Sequence, residues 1–189
     1  TPPRASEVHE FPSQHTPQED CARGGLQTFT IADPTSPGGE RPFVRVAELA
    51  ALKRNGARVH LVLGERHISL INHLGVVYCI DSVCYHAGGN LAVGDIEEVD
   101  GRACLTCPWH LYKVTLETGE KLYGATRFND AGELVPDGIK SAGVRQRVHE
   151  VQERPDGWYV RLKLAGSVES DKYATRKHSA GDGKVVIRG

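Results

Sequence analysis

The 189-residue chain has no methionine, no long apolar run and no excess of either charge. No stretch approaches the ~20 apolar residues that cross a bilayer, so the sequence predicts no transmembrane helix. Its 23 basic residues balance 24 acidic ones, which indicates neither nucleic acid nor an anionic membrane as a partner. No signal-peptide pattern stands at the start.

Cysteine is scarce, and the five residues are Cys21, Cys79, Cys84, Cys104 and Cys107. If two of them are metal ligands, three remain, and an odd number disfavours a disulfide framework and favours a reducing intracellular compartment. Because the chain begins at Thr1 without a methionine, we expect a processed form. Removal of a transit peptide would produce such a chain, and so would loss of an initiator methionine before Thr1; of the two, we favour an organelle (mitochondrion or plastid) over the cytoplasm.

Two short Cys–His pairs are the most informative feature: Cys84-x-His86 and Cys107-x-x-His110, with twenty residues between His86 and Cys107. Each pair offers one thiolate and one imidazole, whereas structural zinc sites commonly combine a CxxC pair with a second pair. A two-iron centre with two thiolates on one iron and two imidazoles on the other requires this division. The pattern predicts a [2Fe–2S] cluster, with zinc as the alternative.

The residues around the ligand pairs suit such a site. Gly88 and Gly89 permit positive φ and a close approach of the backbone to the cluster. Pro108 fixes its own φ and favours an extended Cys107, which stiffens the second loop. Trp109 is expected to cover one side of the cluster loop and exclude water.

Three regions differ in composition. Residues 1–42 hold seven of the ten prolines and predict an extension that is disordered or extended by itself. Residues 43–164 contain short alternating runs with turn signals, which predict an all-β domain. Residues 165–189 form a polar C-terminal tail with one more possible strand at KVVIR.

Within the domain, the sequence predicts an edge strand at FVRVAEL, a helical turn ended by Gly56, and successive strands up to Cys84. Asp100-Gly101 is a strong hairpin signal between LAVGDIEEV and RACLTC, and it places Cys107 opposite Cys84. Residues 124–142 are rich in Gly, Pro, Asp and Asn and are predicted to be a loop.

Other candidate residues have plainer interpretations. Structural roles are expected for the strand and turn histidines His60, His67 and His73. Cys104 completes a CxxC with Cys107, but no βαβ pattern accompanies it, so we interpret Cys104 as a small apolar strand residue. Lys140, Arg145 and Arg147 predict a basic strand face. We interpret this face as solvated, with docking of an acidic partner as the alternative.

The CxH…CPWH motif resembles the Rieske [2Fe–2S] domain family. The runs from Cys84 to Tyr123 and GIKSAGVRQRVHEV, and more weakly SDKYAT, are similar to the soluble Rieske-type ferredoxins of animals. The resemblance implies a fold of small stacked antiparallel sheets, with two hairpin loops that clamp the cluster. It further implies that Cys84 and Cys107 bind the buried iron, and that His86 and His110 bind the outer iron, which takes the electron.

The resemblance favours a one-electron carrier without catalytic residues, served by an unidentified reductase and acceptor. The alternative is an accessory Rieske-domain subunit docked through residues 1–42 in an organellar respiratory or photosynthetic complex. A complete Rieske oxygenase also needs a mononuclear iron held by two His and a carboxylate. After His110 only His149 and His178 remain, with too little chain for that domain.

The same resemblance predicts a low reduction potential. High-potential family members resemble CTHLGC…CPCHGSxY, with two further cysteines in a loop disulfide and Ser and Tyr hydroxyls that bond sulfur. This chain has Gly89 and Trp109 at the extra cysteine positions. It has Tyr112 at the Ser position, with a hydroxyl too far from its backbone to take the same place, and Val114 at the Tyr position, with no donor at all.

Overall fold

The computed structural model describes residues 41–175 and the backbone of Thr30–Ile31. The described chain is built from strands, so the predicted all-β class is confirmed. Its strands are β1 Thr30–Ile31, β2 Val44–Ala47, β3 Arg58–Leu63, β4 Arg66–His73, β5 Val76–Asp81, β6 Ile96–Val99, β7 Arg102–Thr106, β8 Lys113–Thr115, β9 Glu120–Phe128, β10 Leu134–Val144, β11 Val148–Arg154 and β12 Gly157–Arg161. Three 3-10 turns, Leu49–Leu52, Leu91–Val93 and Glu169–Lys172, complete it.

The strands form two sheets. One has seven strands in the order β1-β3-β4-β5-β11-β12-β2, and the other has five in the order β10-β9-β8-β7-β6. Every pairing is antiparallel except that of β1 with β3, in which Thr30 and Ile31 lie opposite Val62 and Leu63. The N-terminal extension therefore adds a short strand to the domain's own sheet.

Tight turns set the register of the two hairpins that precede Cys84 and Cys107 in the chain. Leu74 and Gly75 join β4 to β5 with φ of 52° and 86°, and Asp100 and Gly101 join β6 to β7 with φ of 54° and 70°. Two consecutive positive φ angles suit the twist of an antiparallel hairpin. The predicted Asp100-Gly101 hairpin is confirmed, and β7 ends at Thr106, directly before Cys107.

Two hydrophobic clusters fill the interior. The first contains residues of both sheets together with two of the predicted ligands: Ile71, Ile80, Cys84, Tyr85, Leu91, Leu105, Cys107, Val114 and Leu116. The second combines residues of the larger sheet with Leu52 of the first 3-10 turn and Leu162 just after β12: Leu52, Leu61, Leu63, Ile68, Leu70, Cys79, Val160 and Leu162. Packing of the first cluster therefore also determines where the two thiols lie.

The prediction that residues 124–142 form a loop is wrong, because most of that segment lies in the hairpin of β9 and β10. Large apolar side chains such as Phe128 and Leu134 are exposed there, so no buried face produces a clean alternation of apolar and polar residues. Register shifts between Pro136 and Ile139 interrupt the pattern further. Likewise, LAVGDIEEV is only partly a strand, since Leu91–Val93 form a 3-10 turn.

The prediction that Arg147 belongs to a solvated basic face is wrong, because this residue is almost fully buried. Its guanidinium donates to both carboxylate oxygens of Asp171 at 2.8 and 2.6 Å. Arg145 pairs with Glu169 in the same C-terminal turn. The acidic partners lie 24 residues away along the chain, so strand alternation alone could not reveal them.

The described part of the predicted tail, residues 165–175, packs on the domain. Ser170 and Ala174 are fully buried, and the His67 N–H donates to the Ala174 carbonyl at 2.9 Å. KVVIR and most of residues 1–42 lie outside the described residues. Within residues 41–175, no helix has the length and apolar content to cross a membrane.

Substitution of Gly119 tests the contact that joins β8 and β9 to the segment before β11. Its φ is 74°, and a Cβ there would lie 1.9 Å from the Gln146 carbonyl oxygen, whereas Gly132 has φ of 78° and no neighbour within 4 Å. A positive φ costs an alanine about 1–2 kcal/mol at either site. We expect Gly119→Ala to lower the free energy of unfolding in urea by at least ~2 kcal/mol more than Gly132→Ala. Equal losses would contradict this packing.

Candidate metal centre

The first ligand loop, residues 84–89, follows β5 and is closed by two main-chain hydrogen bonds. The Cys84 N–H donates to the Gly89 carbonyl at 2.8 Å, and the Gly88 N–H donates to the Cys84 carbonyl at 3.0 Å. Gly88 has φ of 82°, which confirms the predicted positive φ at this position. The loop therefore turns back on itself directly after the ligand pair.

The second loop, residues 107–112, repeats this frame. The Cys107 N–H donates to the Tyr112 carbonyl at 2.8 Å, and the Leu111 N–H donates to the Cys107 carbonyl at 2.9 Å. Leu111 stands at the position equivalent to Gly88 and has φ of 56° although it is not glycine. A left-handed backbone costs a residue other than glycine about 1–2 kcal/mol. The second loop therefore keeps its closed conformation with backbone strain at Leu111.

The two loops bring the four predicted ligands together as two pairs. Cys84 and Cys107 are each 1% exposed, and their sulfurs hydrogen-bond each other. His86 and His110 are exposed, with their Nδ1 atoms 3.3 Å apart and their rings nearly perpendicular. The thiols therefore face the core, and the imidazoles face the outside.

The hydrogen bond between the thiols makes their pKa values diverge. It raises the pKa of Cys84, and it lowers the pKa of Cys107 because the bond from Cys84 favours that thiolate. Burial acts against charge on both sulfurs. One thiolate is therefore already favoured in this geometry.

Main-chain N–H groups also point at the two sulfurs. The N–H groups of His86 and Ala87 hydrogen-bond the Cys84 sulfur. Those of Trp109 and His110 hydrogen-bond the Cys107 sulfur. Such donors stabilise negative charge on sulfur, as bound thiolates require.

Gly89 has a role other than the predicted one, because its φ is not positive. A Cβ on Gly89 would lie 3.0 Å from the Trp109 ring and 3.3 Å from the Cys107 sulfur. Glycine is needed here for space, so that the two loops can approach each other. Trp109 covers this side of the loops, as predicted, although half of its surface stays exposed.

This donor set fits a [2Fe–2S] cluster. In residues 41–175, no group of three or more His, Cys, Asp and Glu side chains is placed to hold a single ion. Two thiols and two imidazoles that meet as separate pairs suit two irons that divide the ligands between them. A zinc ion would need at least three of these side chains around one point.

Tyr112 lies beside both imidazoles. Its ring centroid is 4.5 Å from that of His86 and 6.4 Å from that of His110. The Lys121 ammonium lies 4.3 Å from the centroid of the same ring, at a distance typical of a cation–π contact.

Gln146 supports the first loop and was not predicted from the sequence. It is fully buried, and its amide N–H groups donate to the carbonyls of Asp81 and Val83 at 2.9 and 2.8 Å. Its Oε1 accepts the Tyr85 N–H at 2.9 Å. A single glutamine therefore satisfies three backbone groups at the base of the loop, more than 60 residues away along the chain.

A buried polar network lies below Gln146. The Asp81 carboxylate accepts from Arg66 at 2.6 Å, from the Ser170 hydroxyl at 2.7 Å and from His149 Nε2 at 3.1 Å. Since His149 Nδ1 accepts the Lys163 N–H, the proton of the neutral ring resides on Nε2. Burial lowers the pKa of His149, which keeps the ring neutral.

The remaining candidate residues lie away from the four ligands. His60 Nδ1 contacts the hydroxyls of Ser69 and Ser82, and its ring stacks on His67. Cys104 is buried in β7, as predicted for a small apolar residue. Cys21 and His178 lie outside the described residues.

A family model described as soluble Rieske-type ferredoxin matches residues 44–164. A Rieske domain-containing protein of Homo sapiens is 40% identical over 134 residues, which are 70% of this chain and 81% of that protein. A cholesterol 7-desaturase of Ciona intestinalis is 29% identical over 96 residues, 51% of this chain and 20% of that protein. Among solved structures, the ferredoxin of carbazole 1,9a-dioxygenase from Nocardioides aromaticivorans has a TM-score of 0.46 and 21% identity, covering 64% of this chain and 98% of its own.

Replacement of Gln146 by leucine tests its support of the first loop. Three buried backbone groups would lose their partner, and each costs about 1–3 kcal/mol when left unsatisfied. We expect the free energy of unfolding to fall by about 3 kcal/mol or more, together with the iron content per chain. Gln152→Leu, at an exposed position of β11, is the control and should change stability by less than ~0.5 kcal/mol. A Gln146→Leu protein as stable as this control would contradict the assigned role.

Proposed function

Because this chain belongs to the family of soluble Rieske-type ferredoxins, we propose that Cys84, His86, Cys107 and His110 hold its [2Fe–2S] cluster and that it carries electrons at low potential. The bound cluster supplies one-electron redox chemistry. The chain supplies the ligands, the hydrogen bonds to sulfur, the exclusion of water from the thiol side and an open imidazole side.

The observation that carries the proposal is the separation of the two ligand types. The sulfurs of Cys84 and Cys107 lie in the first hydrophobic cluster, whereas the rings of His86 and His110 are exposed. Cys84 and Cys107 would hold the inner iron, and His86 and His110 would hold the outer one. An electron then enters and leaves at the histidine side, where a partner can approach.

The surface around the two histidines supports contact with redox partners through apolar side chains. Neither loop, residues 84–89 or 107–112, contains a charged residue. Trp109 is 50% exposed and Leu111 is 70% exposed. We infer that a reductase and an acceptor, both still unidentified, dock here by burial of apolar surface and only weakly through ion pairs.

Three positions support a low potential. No disulfide can join the loops at Gly89 and Trp109, because neither is a cysteine, and Gly89 packs against the Trp109 ring instead. Val114 is fully buried and has no polar group to offer. The Tyr112 ring lies against His86, so its hydroxyl does not stand where a serine hydroxyl next to the backbone would. With fewer hydrogen bonds to sulfur, the oxidised cluster is favoured.

The accessory-subunit alternative depends on residues 1–42. The structure describes only Thr30–Ile31 and residues 41–42 of that segment, and the short strand pairs with the domain's own β3. Docking of this chain on a larger organellar complex therefore stays a prediction, as does the preference for an organelle. No observation favours it over a free carrier.

Ligand substitutions test the cofactor assignment. Cys107→Ala should remove the cluster and lower stability, because metal binding is coupled to folding. His86→Cys should retain a cluster with an altered visible spectrum, since thiolate also binds iron. Cys104→Ala, three residues earlier and equally buried, is the control and should keep the full content of iron and sulfide.

Iron and sulfide analysis per chain, with the visible spectrum, decides this prediction. A Cys107→Ala protein with full iron content would overturn the assignment. So would loss of the cluster from Cys104→Ala in a folded protein.

Potentiometric titration at neutral pH tests the low potential. Rieske-type centres span about −150 to +300 mV, and we expect a midpoint near the bottom of that range. The physical reason is the loss of the two hydroxyl donors. A midpoint above about +100 mV would mean that other donors replace them.

A further inference from the structure

The C-terminal 3-10 turn, Glu169–Lys172, is fixed beside the first ligand loop. Ser170 is fully buried; its N–H donates to the Arg145 carbonyl and its hydroxyl to Asp81. Asp171 accepts from the guanidinium groups of Arg66 and Arg147. These contacts anchor the turn to the domain, so the residue that follows it has a defined place.

That residue is Tyr173, and its hydroxyl donates to the main-chain carbonyl of His86 at 3.3 Å. The carbonyl of His86 and the N–H of Ala87 belong to one peptide unit. The Ala87 N–H hydrogen-bonds the Cys84 sulfur. A single peptide therefore connects the Tyr173 hydroxyl at one end to a ligand sulfur at the other.

We propose that Tyr173 is a positioning residue that raises the reduction potential of the cluster through the His86–Ala87 peptide. A hydrogen bond to a carbonyl polarises the peptide and strengthens the bond that its N–H donates. A stronger N–H bond to sulfur withdraws negative charge and favours the reduced cluster. The inference rests on the proposed function, because it requires Cys84 to be a cluster ligand.

Contacts other than this hydroxyl anchor the C-terminal turn. The turn is already anchored by Ser170 and Asp171, and Ala174 is buried with its carbonyl bonded to His67. The hydroxyl of Tyr173 instead reaches the exposed side of the ligand loop. Tyr173 lies beyond residues 44–164, the span that the family model matches.

Tyr173→Phe removes this hydroxyl and little else. We expect the equilibrium constant for reduction to fall about threefold, which lowers the midpoint by ~28 mV, since a tenfold change corresponds to about 59 mV for one electron. The EPR spectrum of the reduced protein should shift as well. The control is Tyr159→Phe on β12, which removes a hydroxyl bonded to Asp156 in the β11–β12 turn, outside both ligand loops.

A lower midpoint for Tyr173→Phe, with that of Tyr159→Phe unchanged, supports the proposal. An unchanged or higher midpoint for Tyr173→Phe overturns it, and so does an equal shift in both variants. If the unmodified protein showed no reversible one-electron couple, the proposed function would fail and this inference with it. A normal couple with no shift on Tyr173→Phe removes the inference alone.

Discussion

The structure depends on one constraint: two thiols must be buried side by side while two imidazoles from the same loops stay exposed. Burial of thiolate charge is costly unless donors surround the sulfur. The loops meet this requirement with main-chain N–H groups, two on the Cys84 sulfur and two on the Cys107 sulfur. Their common frame, closed by the same two hydrogen bonds, directs the side chain of each cysteine inward and that of each histidine outward.

The two loops are supported differently. The second is held locally, because β7 and β8 pair on either side of it and Leu111 accepts the strain of a left-handed backbone. The first depends on distant residues, namely Gln146 at its base and the C-terminal turn beside it. The Asp81 network joins these supports to β4 and β11, so residues distant in sequence hold the first loop in place.

The sequence was informative where the chemistry is local. The meeting of the four proposed ligands, the Asp100-Gly101 hairpin and the turn at Gly88 could be predicted from residue type and spacing. The β9–β10 hairpin was missed because its exposed faces leave no periodic pattern. Gln146 and Tyr173 were missed because they act through backbone groups more than 60 residues away, and the role of Arg147 depends on an acidic residue in the C-terminal turn. None of these long-range contacts has a signal in a single sequence.

Pulsed EPR on the reduced protein with ¹⁵N-labelled histidine tests the central claim most directly, because it counts the imidazole nitrogens bound to the reduced iron. The account predicts two strongly coupled histidine nitrogens in the unmodified protein and one in His86→Cys. A reduced centre with no coupled histidine nitrogen, or with both retained in His86→Cys, would contradict it.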